Sequence, residues 1–327
     1  MSGVLHVDSA GLQTTVQDYP GRPGKLAEGY FPAGAMDHVG LRAANLLVGN
    51  PLGDAALEVT LGAVNFKSTR DATICLTGAE ASFHADGEDL EMWKAHRVSA
   101  GAEISIGVAE GPGFRQYLAV GGGIDVPELF GSRSTYTMGA LGGLEGRQLE
   151  VDDELPLGED NGVLGGRRLA SSARPDYARD WEIEAVRGPQ ASSDFLTEHD
   201  MDTLFDRWWQ VDRNSNRMGI RLESHKFEWA RTTGGVAGGH PSNILDNPYA
   251  VGSVNINGDL PVILGPDGPT AGGFVVAATV AHAAMWKIGQ LRPVGDRIRF
   301  REVSVDEAIE LDNRLTEQLS EASVETA

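Results

Sequence analysis

Residues 234–274, GGVAGGHPSNILDNPYAVGSVNINGDLPVILGPDGPTAGGF, hold ten glycines and five prolines. A helix does not survive that density of breakers, which leaves short strands joined by tight turns. One apolar run, Leu260–Leu264, is bounded by turn residues on both sides and reads as a buried strand. With so little side chain in the segment, backbone N–H and C=O groups can approach a ligand closely. His240, Asn243, Asp246 and Asn247 fall within one short stretch, and Asn255, Asn257, Asp259 and Asp267 follow. A surface loop of Asx turns is the plain alternative. The convergence of His, Asn and Asp, with a second turn GPDGP beyond the strand, favours a site.

The rest of the chain agrees with a β protein. In 327 residues, 42 glycines and 7% aromatics suit turn-rich sheets better than helical bundles, and the length allows two domains with cores. A formal charge of −20 argues against nucleic acid and anionic membranes as partners, because phosphate binding needs clustered Lys and Arg. Cys75 is alone, so no internal disulfide forms and a reducing compartment is expected. There is no basic leader and no apolar run of about eighteen residues. The expectation is a cytoplasmic protein.

Alternating segments predict strands over 4–7, 14–17, 56–61, 64–67, 72–76, 102–107 and 148–151. Asp37 is placed to cap a helix over His38–Val48 that Gly49 ends, and Thr197 with Asp200 opens a second over 197–205. The second half repeats landmarks of the first. Arg22 and Gly24 correspond to Arg217 and Gly219, 195 residues on, and Trp93 in MWK corresponds to Trp286 in MWK, 193 on. Two such similar offsets point to an internal duplication. The expected organisation is a β subdomain over 1–158 with the inserted GSRSTY segment, and a linker over 159–180. A second β subdomain over 181–303 then carries the HPSNILDN and GPDGP loops, and a helical tail covers 304–327.

Familiar chemical motifs are missing from the sequence: there is no GxxxxGK[ST], HExxH, CxxC or GxSxG. The expectation is therefore no metal, no ATP bound by this chain and no covalent nucleophile. HPSNILDNPYAVGSVNINGDLPVILGPDGPTAGGF and MWKIGQLRPVGDRIRF resemble the first half of the carboxyltransferase domain of urea carboxylase (urea amidolyase). That family is also described as allophanate hydrolase subunit 2. It is related to the third subunit of the bacterial 5-oxoprolinase complex and to an antagonist of a sporulation-kinase inhibitor. The resemblance runs over residues 7–300 and includes GLQTTVQDYPGRPG, PAGAMDHVGLRAANLLVGN, GSRSTYTMGALGG and NSNRMGIRL.

The resemblance implies a mostly β fold of two related cyclophilin-like β-barrel subdomains. It also implies transfer of a carboxyl group from carboxybiotin to an amide nitrogen. Such an enzyme holds two reactants together and excludes water. Asp246 and Asn243 are the candidates to orient the substrate N–H, with His240 as a ligand-facing base. Arg217 and Arg133, in loops with small polar neighbours, suit a carboxylate, with surface ion pairs as the alternative. Asn247, Asp267, Gly268 and Asp37 complete the substrate- and biotin-binding candidates. The MWK contexts do not match a biotin acceptor, so biotin arrives on a separate carrier protein made with a biotin carboxylase, and a subunit-1-like chain completes the site. The alternatives are one subunit of an ATP-dependent 5-oxoprolinase, or a regulator that binds a kinase inhibitor. The chain departs from the urea carboxylase pattern at Leu245, where that family carries His, at Val236 and at Val294.

Overall fold

A computed structural model of the chain describes residues 3–326. Among the described residues the protein is mostly β with four short α-helices, and its backbone divides into two compact units. The first takes the residues up to Gly24, then Pro32–Tyr177 and the chain from Thr316; the second takes Lys25–Phe31 and Ala178–Leu315.

In the first unit the strands are β1 (Gly3–Ser9), β2 (Gln13–Gln17), β3 (Ala56–Thr60), β4 (Val64–Ser68), β5 (Ala72–Gly78), β6 (Phe83–Ala85) and β7 (Glu88–Asp89). They continue as β8 (Ala95–Val98), β9 (Glu103–Ile106), β10 (Arg115–Val120), β11 (Glu154–Leu157) and β12 (Arg167–Leu169). One sheet runs β11-β1-β4-β9-β6-β7 and a second β2-β3-β10-β5-β8. The period-2 alternation of these strands puts Leu5, Phe66 and Ile104 of the first sheet and Leu57, Ile74 and Leu118 of the second into one core. Helix α1 (His38–Val48) packs on β5 and β10, so β10 is buried on both faces. Asp37 caps it through Val39 N and Gly40 N, and Gly49 closes it at φ +76°.

The second unit holds β13 (Asp180–Arg187), α2 (Glu198–Asp206), β14 (Trp209–Gln210), β15 (Gly219–Arg221), β16 (Asn243–Pro248), β17 (Ser253–Asn257) and β18 (Leu260–Leu264). It continues with β19 (Ala271–Val280), α3 (Met285–Gln290), β20 (Arg297–Glu302) and the start of α4 (Val305–Gln318). Its sheet runs β14-β20-β13-β19-β17-β18-β15, with β16 added to β19. Thr197 and Asp200 form the capping box of α2.

Several expectations change. Residues 148–151 form no strand: Asp152 turns the chain at φ +71° and β11 starts at Glu154. Within 159–180 lies β12, paired with β21 (Val324–Thr326), so the end of the expected helical tail is a strand. HPSNILDN is not a free loop, because Asn243–Pro248 is strand β16. The two MWK landmarks also differ, the first preceding β8 in a turn and the second opening α3. No helix among the described residues is long and apolar enough to cross a membrane.

Candidate functional site

The polar cluster of the glycine-rich segment sits on a bulged ribbon. β16 pairs antiparallel with β19 at Asn243–Phe274, then at Asn247–Gly272 and Pro248–Ala271. Four steps along β16 therefore match two along β19, and the surplus residues are pushed out of the ladder. Leu245 stands 68% exposed at this crest, with Asp246 exposed beside it. The Asp246 side chain makes no hydrogen bond to any described residue, so its carboxylate projects unencumbered. Asn243 is half-buried between Gly234 and Gly238, and a Cβ on Gly238 would lie 2.2 Å from its Nδ2. Asn247 Nδ2 donates to its neighbour's carbonyl, Pro248 O, at 3.0 Å.

His240 precedes the ribbon in a turn fastened by Arg231, whose Nε donates to Pro241 O (2.8 Å) and whose Nη2 donates to Asn243 O (2.7 Å). Its ring stands edge-on to Trp229, 5.7 Å between centroids. Its Nδ1 meets two groups of Ser242, the backbone N at 3.1 Å and Oγ at 2.8 Å. Ser242, fully buried, in turn accepts at Oγ from Gly258 N, 3.0 Å away.

Alongside the ribbon lies a cleft of about 300 Å³. Its wall is one face of β17, β18 and β15, where register sets Asn255 beside Val262 and Val262 beside Arg221. Gly219 leaves room beside them: a Cβ there would come within 2.9 Å of Val262 Cγ1. Tyr249, Phe274, Met218, Leu264 and Asn257 supply further lining. Tyr249 Oη accepts from Phe274 N at 2.7 Å and donates to Phe274 O at 3.2 Å. Burial raises the pKa of this phenol, against the hydrogen bonds from Phe274 and the Asn255 amide. Asn255 is 4% exposed and its Oδ1 has no hydrogen-bond partner among the described residues. Asn255 thus lines the cleft while its buried Oδ1 holds an unmet capacity to accept a hydrogen bond.

Arg217, Asp267 and Gly268 adjoin the cleft without lining it. Arg217 donates to both carboxylate oxygens of Asp267, at 2.7 and 3.0 Å, with both side chains buried. Gly268 packs on the backbone of Met218, where a Cβ would meet Met218 O at 2.4 Å. These three shape the cleft through its neighbours Met218 and Pro269. Arg133 and Asp37 belong to the first unit, each with partners of its own. Arg133 donates to Val126 O, Glu128 and Asp125. Asp37 holds the helix start and accepts from Tyr177 Oη at 3.2 Å. Sequence reasoning counted Asn255 only as one of the polar residues of the segment and passed over Tyr249 and Phe274, whose importance lies in a contact between them. No group of three or more His, Cys, Asp or Glu placed to hold a metal occurs among the described residues.

The cleft therefore presents a sheet face of amide, phenol and apolar groups, with the exposed Asp246 on the adjoining ribbon. The chain belongs to the family of carboxyltransferase domains, subdomain A and B, whose model matches residues 28–302. It is 40% identical to the urea amidolyase of Saccharomyces cerevisiae over 308 residues, which is 92% of this chain and 17% of that protein. It is 35% identical to a 5-oxoprolinase subunit of Escherichia coli over 97% of this chain and 98% of that protein. The crystal structure of Kluyveromyces lactis urea carboxylase superposes with a TM-score of 0.92 at 37% identity, covering 98% of this chain and 30% of that one. The chain thus spans less than a third of the urea amidolyase and urea carboxylase it resembles.

Proposed function

We propose that this chain is the carboxyltransferase component of a biotin-dependent carboxylase acting on urea or a urea-like amide, working with partner chains. Supporting it are the family membership and the resemblance to urea amidolyase, of which this chain matches only a part. Subunit-1-like, biotin carboxylase and biotin carrier components would supply the rest. The single observation that carries the reading is the cleft with the unpartnered Asn255 Oδ1 in its wall, next to the Asp246 crest. A ureido group offers N–H to that oxygen and a flat face to Phe274 and Tyr249, so the residues present fit biotin as well as an amide substrate.

When bound, a carboxylated ureido ring would supply the carboxyl group and take up the amide proton in exchange, with Asn255, Tyr249 and Phe274 placed to hold the ring. The chain's residues do the holding. Asp246 accepts from the substrate N–H and polarises a weak nucleophile, and Asn243 and Asn247 flank it on the ribbon. The apolar lining of Val262, Leu264 and Phe274 excludes water.

The test is a complex reconstituted with its partner chains and assayed for carboxybiotin turnover with urea, guanidine, acetamide and 5-oxoproline. Stimulation by urea or guanidine is expected, and the isolated chain should be inactive. Stimulation by none of the four would retire the proposal. A second reading, one member of an ATP-dependent 5-oxoprolinase complex, is favoured by the alignment over 98% of the Escherichia coli protein. It predicts 5-oxoproline-dependent ATP hydrolysis in the complex and no carboxybiotin turnover.

A further inference from the structure

The surroundings of His240 decide which of its nitrogens carries the proton. Ser242 N is a backbone amide that can only donate, and it lies 3.1 Å from His240 Nδ1. A proton on Nδ1 would face that N–H head-on, so Nδ1 is the acceptor. Ser242 Oγ, 2.8 Å from the same nitrogen, accepts from Gly258 N at 3.0 Å and can donate its own proton to Nδ1. The backbone contact imposes the tautomer and the hydroxyl contact is compatible with it, so in the neutral ring the proton sits on Nε2. The turn cannot readily relax this arrangement: Arg231 clamps Pro241 O and Asn243 O, and Asn243 N donates to His240 O at 3.0 Å. Nε2 itself has no hydrogen-bond partner among the described residues, and the ring is only half-buried.

We infer that His240 serves the site as a fixed N–H donor through Nε2, with Ser242 as the positioning residue that holds its tautomer, and that its ligand is a carbonyl or carboxylate oxygen. A base would need a free lone pair on the exposed nitrogen, and the buried serine denies it one. This replaces the general-base role that the sequence suggests for His240, and the identity of the oxygen rests on the carboxyltransferase reading. A donor aimed at an oxygen that gains charge as the carboxyl group moves matters most in the transition state.

Two measurements test it. Ring 15N spectra of the full chain, with His240 assigned by its absence in His240→Gln, should show an unprotonated Nδ1 and a protonated Nε2. Ser242→Ala keeps the backbone N–H at Nδ1 and removes only the hydroxyl donor, so the Nε2-protonated form should persist with the Nδ1 resonance shifted by the lost bond. In the reconstituted complex His240→Gln, which keeps an N–H at similar reach and has no basic nitrogen, should retain turnover within about tenfold, whereas His240→Ala should lose about 10²- to 10³-fold. A protonated Nδ1 in the wild type, or a Gln variant as poor as the Ala variant, would overturn the inference. If the tautomer is as expected but no amide stimulates turnover, the positioning role of Ser242 stands and both the carboxyltransferase proposal and the donor role towards its substrate fall.

Discussion

Arg217 and Asp267, 50 residues apart, meet as a bidentate ion pair with both side chains no more than 5% exposed. The pair ties the GPDGP turn to the loop that presents Met218 and Gly219 to the cleft, and Asp267 N adds a 3.3 Å bond to Arg217 O. Breaking a buried pair from one side leaves an uncompensated charge. Asp267→Asn is expected to cost about 3–5 kcal/mol, read by guanidinium denaturation. A loss under about 1 kcal/mol would show that the turn is held by its backbone alone.

Gly272 lies under the ring of Tyr249, where a Cβ would come within 2.8 Å of Cε2 and 3.0 Å of Oη. Gly272→Ala should lever the phenol off Phe274, losing stability by about 1–3 kcal/mol together with cleft binding. Tyr249→Phe removes the same hydrogen bonds and keeps the shape, so it should cost less. The order of the two melting temperatures is the check.

Asn255→Leu separates ligand recognition from folding. The near-isosteric apolar side chain removes the unpartnered Oδ1 together with the amide's bond to Tyr249, two opposed effects that should leave stability within about 1 kcal/mol of wild type. KM for the accepted amide should rise about tenfold or more, equivalent to about 1.4 kcal/mol of lost binding. An unchanged KM would take Asn255 out of the site.

Asp246 is exposed and its side chain has no hydrogen-bond partner among the described residues, so Asp246→Asn should leave the melting temperature unmoved. If its carboxylate polarises the substrate N–H, turnover in the complex falls about 30- to 1000-fold, equivalent to about 2–4 kcal/mol. Turnover within about threefold of wild type would remove it from the mechanism.

The carboxyl of Asp153 is held below the usual carboxylate range, first by hydrogen bonds from Arg147 at 2.8 Å and also by the backbone N of Glu150. A depressed folded-state pKa contributes stability above the unfolded value that is lost as pH falls through the folded one. Asp153→Asn should therefore be less stable than wild type at pH 7, by about 1–2 kcal/mol given the partly exposed arginine. The gap should close below about pH 4. Parallel pH–stability curves would contradict this.

What could be read from the sequence was local. Asp37, Thr197 and Asp200 announce their helices because a cap is a contact between residues two or three apart, and each appears where expected. Strand Leu260–Leu264 was legible because turn residues bracket it. The ribbon was not: β16 owes its strand geometry to β19, and its bulge destroys the alternation that would have advertised it. Nor could the sequence reveal that Arg217 is committed to Asp267, or that Asn255 lacks a partner, since both facts arise between strands brought together by the sheet. The departures from the urea carboxylase pattern at Val236, Leu245 and Val294 all turn out to be solvent-exposed, at 95%, 68% and 64%.

The bulge on β16 has a consequence for how relatives diverge. Residues 244–246 lie outside the registered pairs, so they can change in charge, size or number without breaking a bond that β19 depends on. The ladder at Asn243, Asn247 and Pro248 works as a socket, and the crest between as an interchangeable tip. On the carboxyltransferase proposal, such a domain could be retuned between substrates at two or three positions while its folding stays the same.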